Sequence, residues 1–162
     1  MMNRTKLNEK LNYVLDNDLS IEEWKTAYAE LFSDCEKKMI LAENMQEDLL
    51  TRFGKNSLED LYDTVGKDIE KVLKEEELLL LPGNTDRFEI TDVYSDTMRN
   101  AQNLSKRQLE DIYQKLYDQC VCITLENEYA DEEIQKAYGP AVLSDMKADA
   151  ERAYEEIEQN RS

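Results

Sequence analysis

Residues 20–54 read Ser20-IEEWKTAYAELFSDCEKKMILAENMQEDLLTRF-Gly54, and this stretch decides the fold. Trp24, Tyr28, Leu31, Cys35, Met39, Ala42, Met45, Leu49 and Phe53 recur at intervals of three and four, the spacing of one face of a helix. Ser20 followed by Glu23 is a capping box, in which hydroxyl and carboxylate each satisfy the other residue's backbone amide. Gly54 is the natural C-terminal stop. The pattern predicts one helix of about 30 residues starting at Ile21, with Ser33-Asp34 as an alternative start for a second segment.

The same reading extends outward. Leu7, Leu11, Val14 and Leu15 predict a helix over 4–16, and Leu58, Leu61, Tyr62, Val65, Ile69, Val72 and Leu73 another over 58–76, capped by Ser57 and Asp60. Leu78 to Leu81, a Pro82-Gly83-Asn84-Thr85-Asp86 turn and the alternating Arg87 to Thr91 have the form of a small hairpin, although the leucines equally suit the end of the preceding helix. Val93, Tyr94, Met98 and Ala101 predict a short helix over 92–103. A second capping box, Ser105 with Gln108, introduces Leu109, Ile112, Tyr113, Leu116, Tyr117, Cys120 and Ile123. The stretch 129–138 continues that helix or forms its own, and ends at Gly139. Pro140 suits a first helical position, ahead of Val142, Met146, Ala150, Ala153 and Ile157. The expectation is an all-α single-domain bundle of five to seven helices over 1–162, with frayed ends, a hairpin insertion around 78–91 left open, and no internal repeat.

Composition supports that class. A chain of 162 residues, 41% hydrophobic, can build one substantial core, and four Gly with two Pro are too few for an architecture of frequent tight turns. No apolar block approaches the roughly 20 residues of a membrane span. The start at Met1 is followed by an amphipathic pattern rather than a secretory signal, so a cytoplasmic location is expected. Cys35 falls on the long apolar stripe and reads as a reduced core residue, while Cys120 and Cys122 point in different directions and suit neither a bridge nor a metal clamp.

The chain has no histidine, which removes His-dependent triads and most transition-metal sites. No Gly-rich phosphate loop is present. Carboxylates four apart, Glu43 with Glu47, Asp92 with Asp96, Asp145 with Asp149 and Glu151 with Glu155, share helical faces and are the only candidates for magnesium. The dense acidic motifs of an all-α nucleotide pyrophosphatase are missing. No catalytic residue, cofactor or metal is assigned.

What stands out is charge. Asp and Glu number 37 against 20 Lys and Arg, a net charge of −17, beyond the usual range for a small domain. Between Asp118 and Glu158 twelve acidic residues face three basic ones, a net −9. An acidic surface edged with tyrosines suits a basic partner, and carboxylates spaced like phosphates suit a nucleic-acid channel. The expected contacts are Glu126, Glu128, Tyr129, Asp131, Glu132, Glu133, Asp149, Glu151, Tyr154, Glu155 and Glu156. The corresponding function is a non-enzymatic inhibitor that mimics nucleic acid and occludes the basic site of a nucleic-acid-binding protein or nuclease, of anti-restriction or anti-CRISPR type, from a phage or mobile element. Direct nucleic-acid binding is not expected, since Lys37-Lys38 and Lys106-Arg107 are isolated. Two alternatives stay open: a helical scaffold or regulatory subunit, in which the chain forms a homo-oligomer, and a magnesium-dependent nucleotide pyrophosphatase.

Overall fold

The computed structural model describes residues 1–75 and 87–161. Among them the protein is all-α, with six α-helices, one short 3-10 turn and no strand. The helices are α1 (Arg4–Asp16), α2 (Ile21–Phe53), α3 (Lys55–Glu75), α4 (Arg87–Asn100), α5 (Lys106–Tyr138) and α6 (Pro140–Arg161).

Both capping boxes form. Ser20 N–H donates to Glu23 Oε1 and Glu23 N–H to Ser20 Oγ, each at 3.1 Å. Ser105 and Gln108 repeat the exchange at 2.8 and 3.2 Å. α2 runs through Ser33-Asp34 without a break, because its apolar positions keep their period across that pair. Its middle is buried nearly all round, with Asp34, Cys35, Glu36, Lys38, Ile40, Leu41 and Ala42 all covered. The middle of α5 is alike, from Cys120 to Leu125 with only Ile123 half-buried. Continuous runs such as Met39-Ile40-Leu41-Ala42 are the signature of a helix enclosed by others.

Two expectations are corrected. Arg87–Thr91, read as the second arm of a hairpin, is the start of α4; Ile90 and Thr97 are its buried positions, and helical spacing overrides so short an alternation. The first arm lies outside the described residues. Ser57 does not cap α3, which already begins at Lys55. Its hydroxyl donates to the Phe53 carbonyl at 3.1 Å, because Gly54 at φ 91° turns the chain at once.

A third correction is the internal repeat that composition did not reveal. Helices of 13, 33 and 21 residues are followed by helices of 14, 33 and 22. The landmarks recur at one constant spacing: Ser20 and Ser105 open the long helices, and Gly54 (φ 91°) and Gly139 (φ 94°) close them. At the same spacing Tyr28 matches Tyr113, Leu31 matches Leu116, and Cys35 matches Cys120, all buried. The sequence hides the repeat because few other positions are identical; helix length and burial match where side chains do not.

The chain forms two compact units, Met1–Glu36 with Leu80–Thr124, and Lys37–Leu79 with Leu125–Ser162. Each therefore draws on both repeats. In the first unit, the equivalent rings Tyr28 and Tyr113 lie 6.5 Å apart. Trp24 and Tyr94 flank Tyr28, and Phe32 stacks on Tyr94 at 4.0 Å. In the second, Phe53 and Tyr138, again equivalent, stack at 3.7 Å and 5°, over a core of Leu49, Leu61, Val65, Ala130, Ile134 and Met146. Equivalent residues touching each other is the mark of a contact on a local two-fold relation.

The three cysteines are buried and form no disulfide. In the first unit Cys120 donates its thiol to Asp34 Oδ2 at 3.5 Å, while Asp34 Oδ1 accepts the Met2 amide at 2.7 Å. The buried carboxylate thus has partners from two other segments, as a covered anion requires.

Candidate functional site

The eleven expected contacts all lie in the second unit, on α5 and α6. These helices are joined at Gly139 and run back along each other, so that Lys147 of α6 reaches Asp131 of α5 at 2.8 Å.

Packing divides the residues into two groups. The inward group is neutralised or covered. Asp149 accepts from Arg52 of α2 at 2.9 Å and from Arg152, and Glu151 pairs with Lys37 of α2 at 3.5 Å. The Lys37 ammonium also lies over the Tyr154 ring, 4.8 Å from its centroid, a cation–π contact. Tyr129 packs against the apolar core. Glu126 and Asp131 face Tyr62 of α3, whose hydroxyl is pushed up to about 12 by burial first and by these two negative charges in addition. Glu133 is half-buried and shares Lys136 with the exposed Glu132, each at 3.5 Å. Glu128, Glu155 and Glu156 are exposed and stand outside these pairs.

Burial also raises the Glu126 carboxyl above its ordinary value. A carboxyl raised on folding contributes stability that is fully present below its unfolded pKa and is lost as pH rises through the folded one. Glu126→Gln is therefore expected to raise the melting temperature at neutral pH. The gain should vanish below about pH 3, where the glutamate is protonated in both the folded and the unfolded chain. Equal melting temperatures for mutant and parent at neutral pH would show that the carboxylate costs nothing where it sits.

Sequence reasoning missed the counterpart of this surface. At the repeat spacing Glu43, Glu47, Asp60 and Glu70 match Glu128, Glu132, Asp145 and Glu155. All eight are exposed. The signal that finds them is the registration of the two glycine stops, which aligns α2–α3 with α5–α6.

The magnesium candidates are differently placed. Asp96 is bonded to Arg99, Asp149 to Arg52 and Arg152, and Glu151 to Lys37, so three of the four pairs already have a cation on one member. Among the described residues no group of three or more potential ligands converges. No helix among them is long and apolar enough to cross a membrane.

No family model, no curated protein and no solved structure matches the chain.

Proposed function

We propose that the protein is an acidic inhibitor that mimics nucleic acid and occludes the basic site of a nucleic-acid-processing protein, of the anti-restriction or anti-CRISPR kind. The observation that carries this reading is the net charge of −17, with exposed carboxylates on both repeats, Glu43, Glu47, Asp60 and Glu70 as well as Glu128, Glu132, Asp145 and Glu155. A net charge of −17 makes the surrounding field favour a basic cleft and repel duplex. Glu128, Glu155 and Glu156 form the part of the original acidic set most open to a partner.

The test is capture of partners from the host at low salt, followed by competition with duplex DNA. A captured nucleic-acid-binding protein should be released by duplex and by about 0.5 M salt, where the Debye length falls to a few ångströms. Substituting Glu128, Glu132, Glu155 and Glu156 with glutamine should weaken capture at least roughly tenfold without loss of helix signal. Capture that duplex cannot compete, or that survives those four substitutions, counts against occlusion.

One observation favours the scaffold reading. Leu50 of α2 is 44% exposed, an apolar position on the outside of a long helix. A stable dimer in sedimentation equilibrium, dissociated by Leu50→Glu, would support that alternative.

A further inference from the structure

The first unit contains a cavity of about 420 Å³, within the ~300–1,000 Å³ of small-molecule sites. Tyr28 of α2, Ile90 and Val93 of α4, and Ile112 and Leu116 of α5 supply its apolar wall. Glu89 and Lys115 line it too, and both are exposed. Lys115 makes no ion pair among the described residues.

The repeat shows why the space is open. α1 and α4 align from their starts at Arg4 and Arg87, so Leu7 matches Ile90 and Lys10 matches Val93. On the long helices Tyr113 matches Tyr28, Glu30 matches Lys115 and Leu31 matches Leu116. In the first repeat Lys10 of α1 pairs with Glu30 of α2 at 3.2 Å. Glu30 is close enough to Tyr113 to help raise its hydroxyl, after burial. The second-repeat groove has the short Val93 in place of the lysine stem, and Lys115 in place of its carboxylate partner. A long amphipathic side chain has been lost and the charge that would meet its head has been inverted.

We propose that this cavity binds a small amphipathic monocarboxylate, whose apolar chain takes the place of the Lys10 stem and whose carboxylate pairs with Lys115. The polarity follows from the inversion: the position that holds an ammonium in one groove holds an anion in the other. The −17 net charge opposes an anion's approach, so the short-range contact with Lys115 carries the discrimination. Glu89 at the same wall is matched in the first repeat by the exposed Lys6, which reaches Glu9 of its own helix at 3.9 Å. Its first-repeat counterpart pairs within its own helix, so Glu89 is not assigned to the ligand although it lines the cavity.

The experiment uses octanoate, octylamine and the full-length protein, read by thermal shift and by saturation-transfer NMR. Octanoate should bind saturably with a dissociation constant of roughly millimolar or tighter, raising the melting temperature as ligand binding to the folded state must. Octylamine should bind at least about tenfold more weakly. Lys115→Glu should reverse the order. The double variant Val93→Lys with Lys115→Glu recreates the Lys10–Glu30 pair, so it should bind neither probe and melt no lower than the parent. Both positions are exposed, and an unchanged helix signal checks the fold. The proposal is overturned if octanoate shows no saturable binding up to about 20 mM, if octylamine binds the parent equally well, or if Lys115→Glu leaves octanoate affinity unchanged. The two wild-type measurements decide it without any variant. Its failure leaves the reading of the acidic surface untouched, since that surface belongs to the other unit.

Discussion

Tyr28→Ala is expected to destabilise the protein by about 3–5 kcal/mol, the range for removing a large buried aromatic side chain. Tyr28 is 2% exposed. Its ring lies 4.7 Å from Trp24 and 5.5 Å from Tyr94, both stacked, and meets its own equivalent Tyr113. Its hydroxyl is bonded to the Thr97 side chain. The substitution therefore removes ring packing against three partners and leaves Thr97 with one fewer. Against a typical total stability of about 5–15 kcal/mol, the melting temperature should fall by roughly 10 °C or more. Tyr28→Phe keeps the rings together and loses only the hydroxyl bond, so about 1 kcal/mol is expected. Urea unfolding followed by circular dichroism measures both. An alanine variant less than about 1 kcal/mol below the parent would mean that the stack is not part of the core.

The second large effect is alkaline unfolding. Burial pushes the hydroxyls of Tyr28 and Tyr62 up to about 12 and that of Tyr113 higher still. The folded protein holds these protons where the unfolded chain, with a tyrosine pKa near about 10, releases them. Stability is fully present below about pH 10 and declines as pH rises toward the folded values. For Tyr28, almost wholly covered, the loss amounts to about 2–3 kcal/mol by pH 12. Tyr62 is half-buried and contributes less. The sum with Tyr113 is a sizeable part of an ordinary folding free energy. Absorbance at 295 nm should show a late group of tyrosines that ionises together with loss of helix signal. If all nine tyrosines ionise in one wave near about pH 10 with helicity intact, these rings are not sealed in the way described.

The helices were legible where sequence rules are local. Both serine boxes, both glycine stops and the Pro140 start fall where short-range chemistry places them. Misreadings occurred where a local signal met a longer one. The alternation of Arg87–Thr91 was overruled by the helical spacing of Ile90 and Thr97, and Ser57 by the turn already made at Gly54.

The acidic set was legible as composition and only partly as a surface. Asp149 and Glu151 look like free carboxylates until α6 packs on α2 and brings Arg52 and Lys37 to them. Such pairs join residues remote in sequence, which no periodicity reveals. The repeat was faint for a related reason: Ser20, Tyr28, Cys35 and Gly54 recur as Ser105, Tyr113, Cys120 and Gly139 at one spacing, but most of the match is in helix length and burial, which exist only once the chain has folded.

The interleaving of the two repeats has a consequence for synthesis. Each compact unit needs segments from both halves of the chain, so no core can close when only the first half has left the ribosome. Tyr28, Leu31, Cys35 and Leu49, all buried in the finished protein, must wait for Tyr113, Leu116 and Ile134. At about 5–20 residues per second, that wait lasts roughly 4–16 s for the second half. During it the nascent chain offers a long apolar helical stripe to chaperones, and to neighbouring nascent copies on the same message.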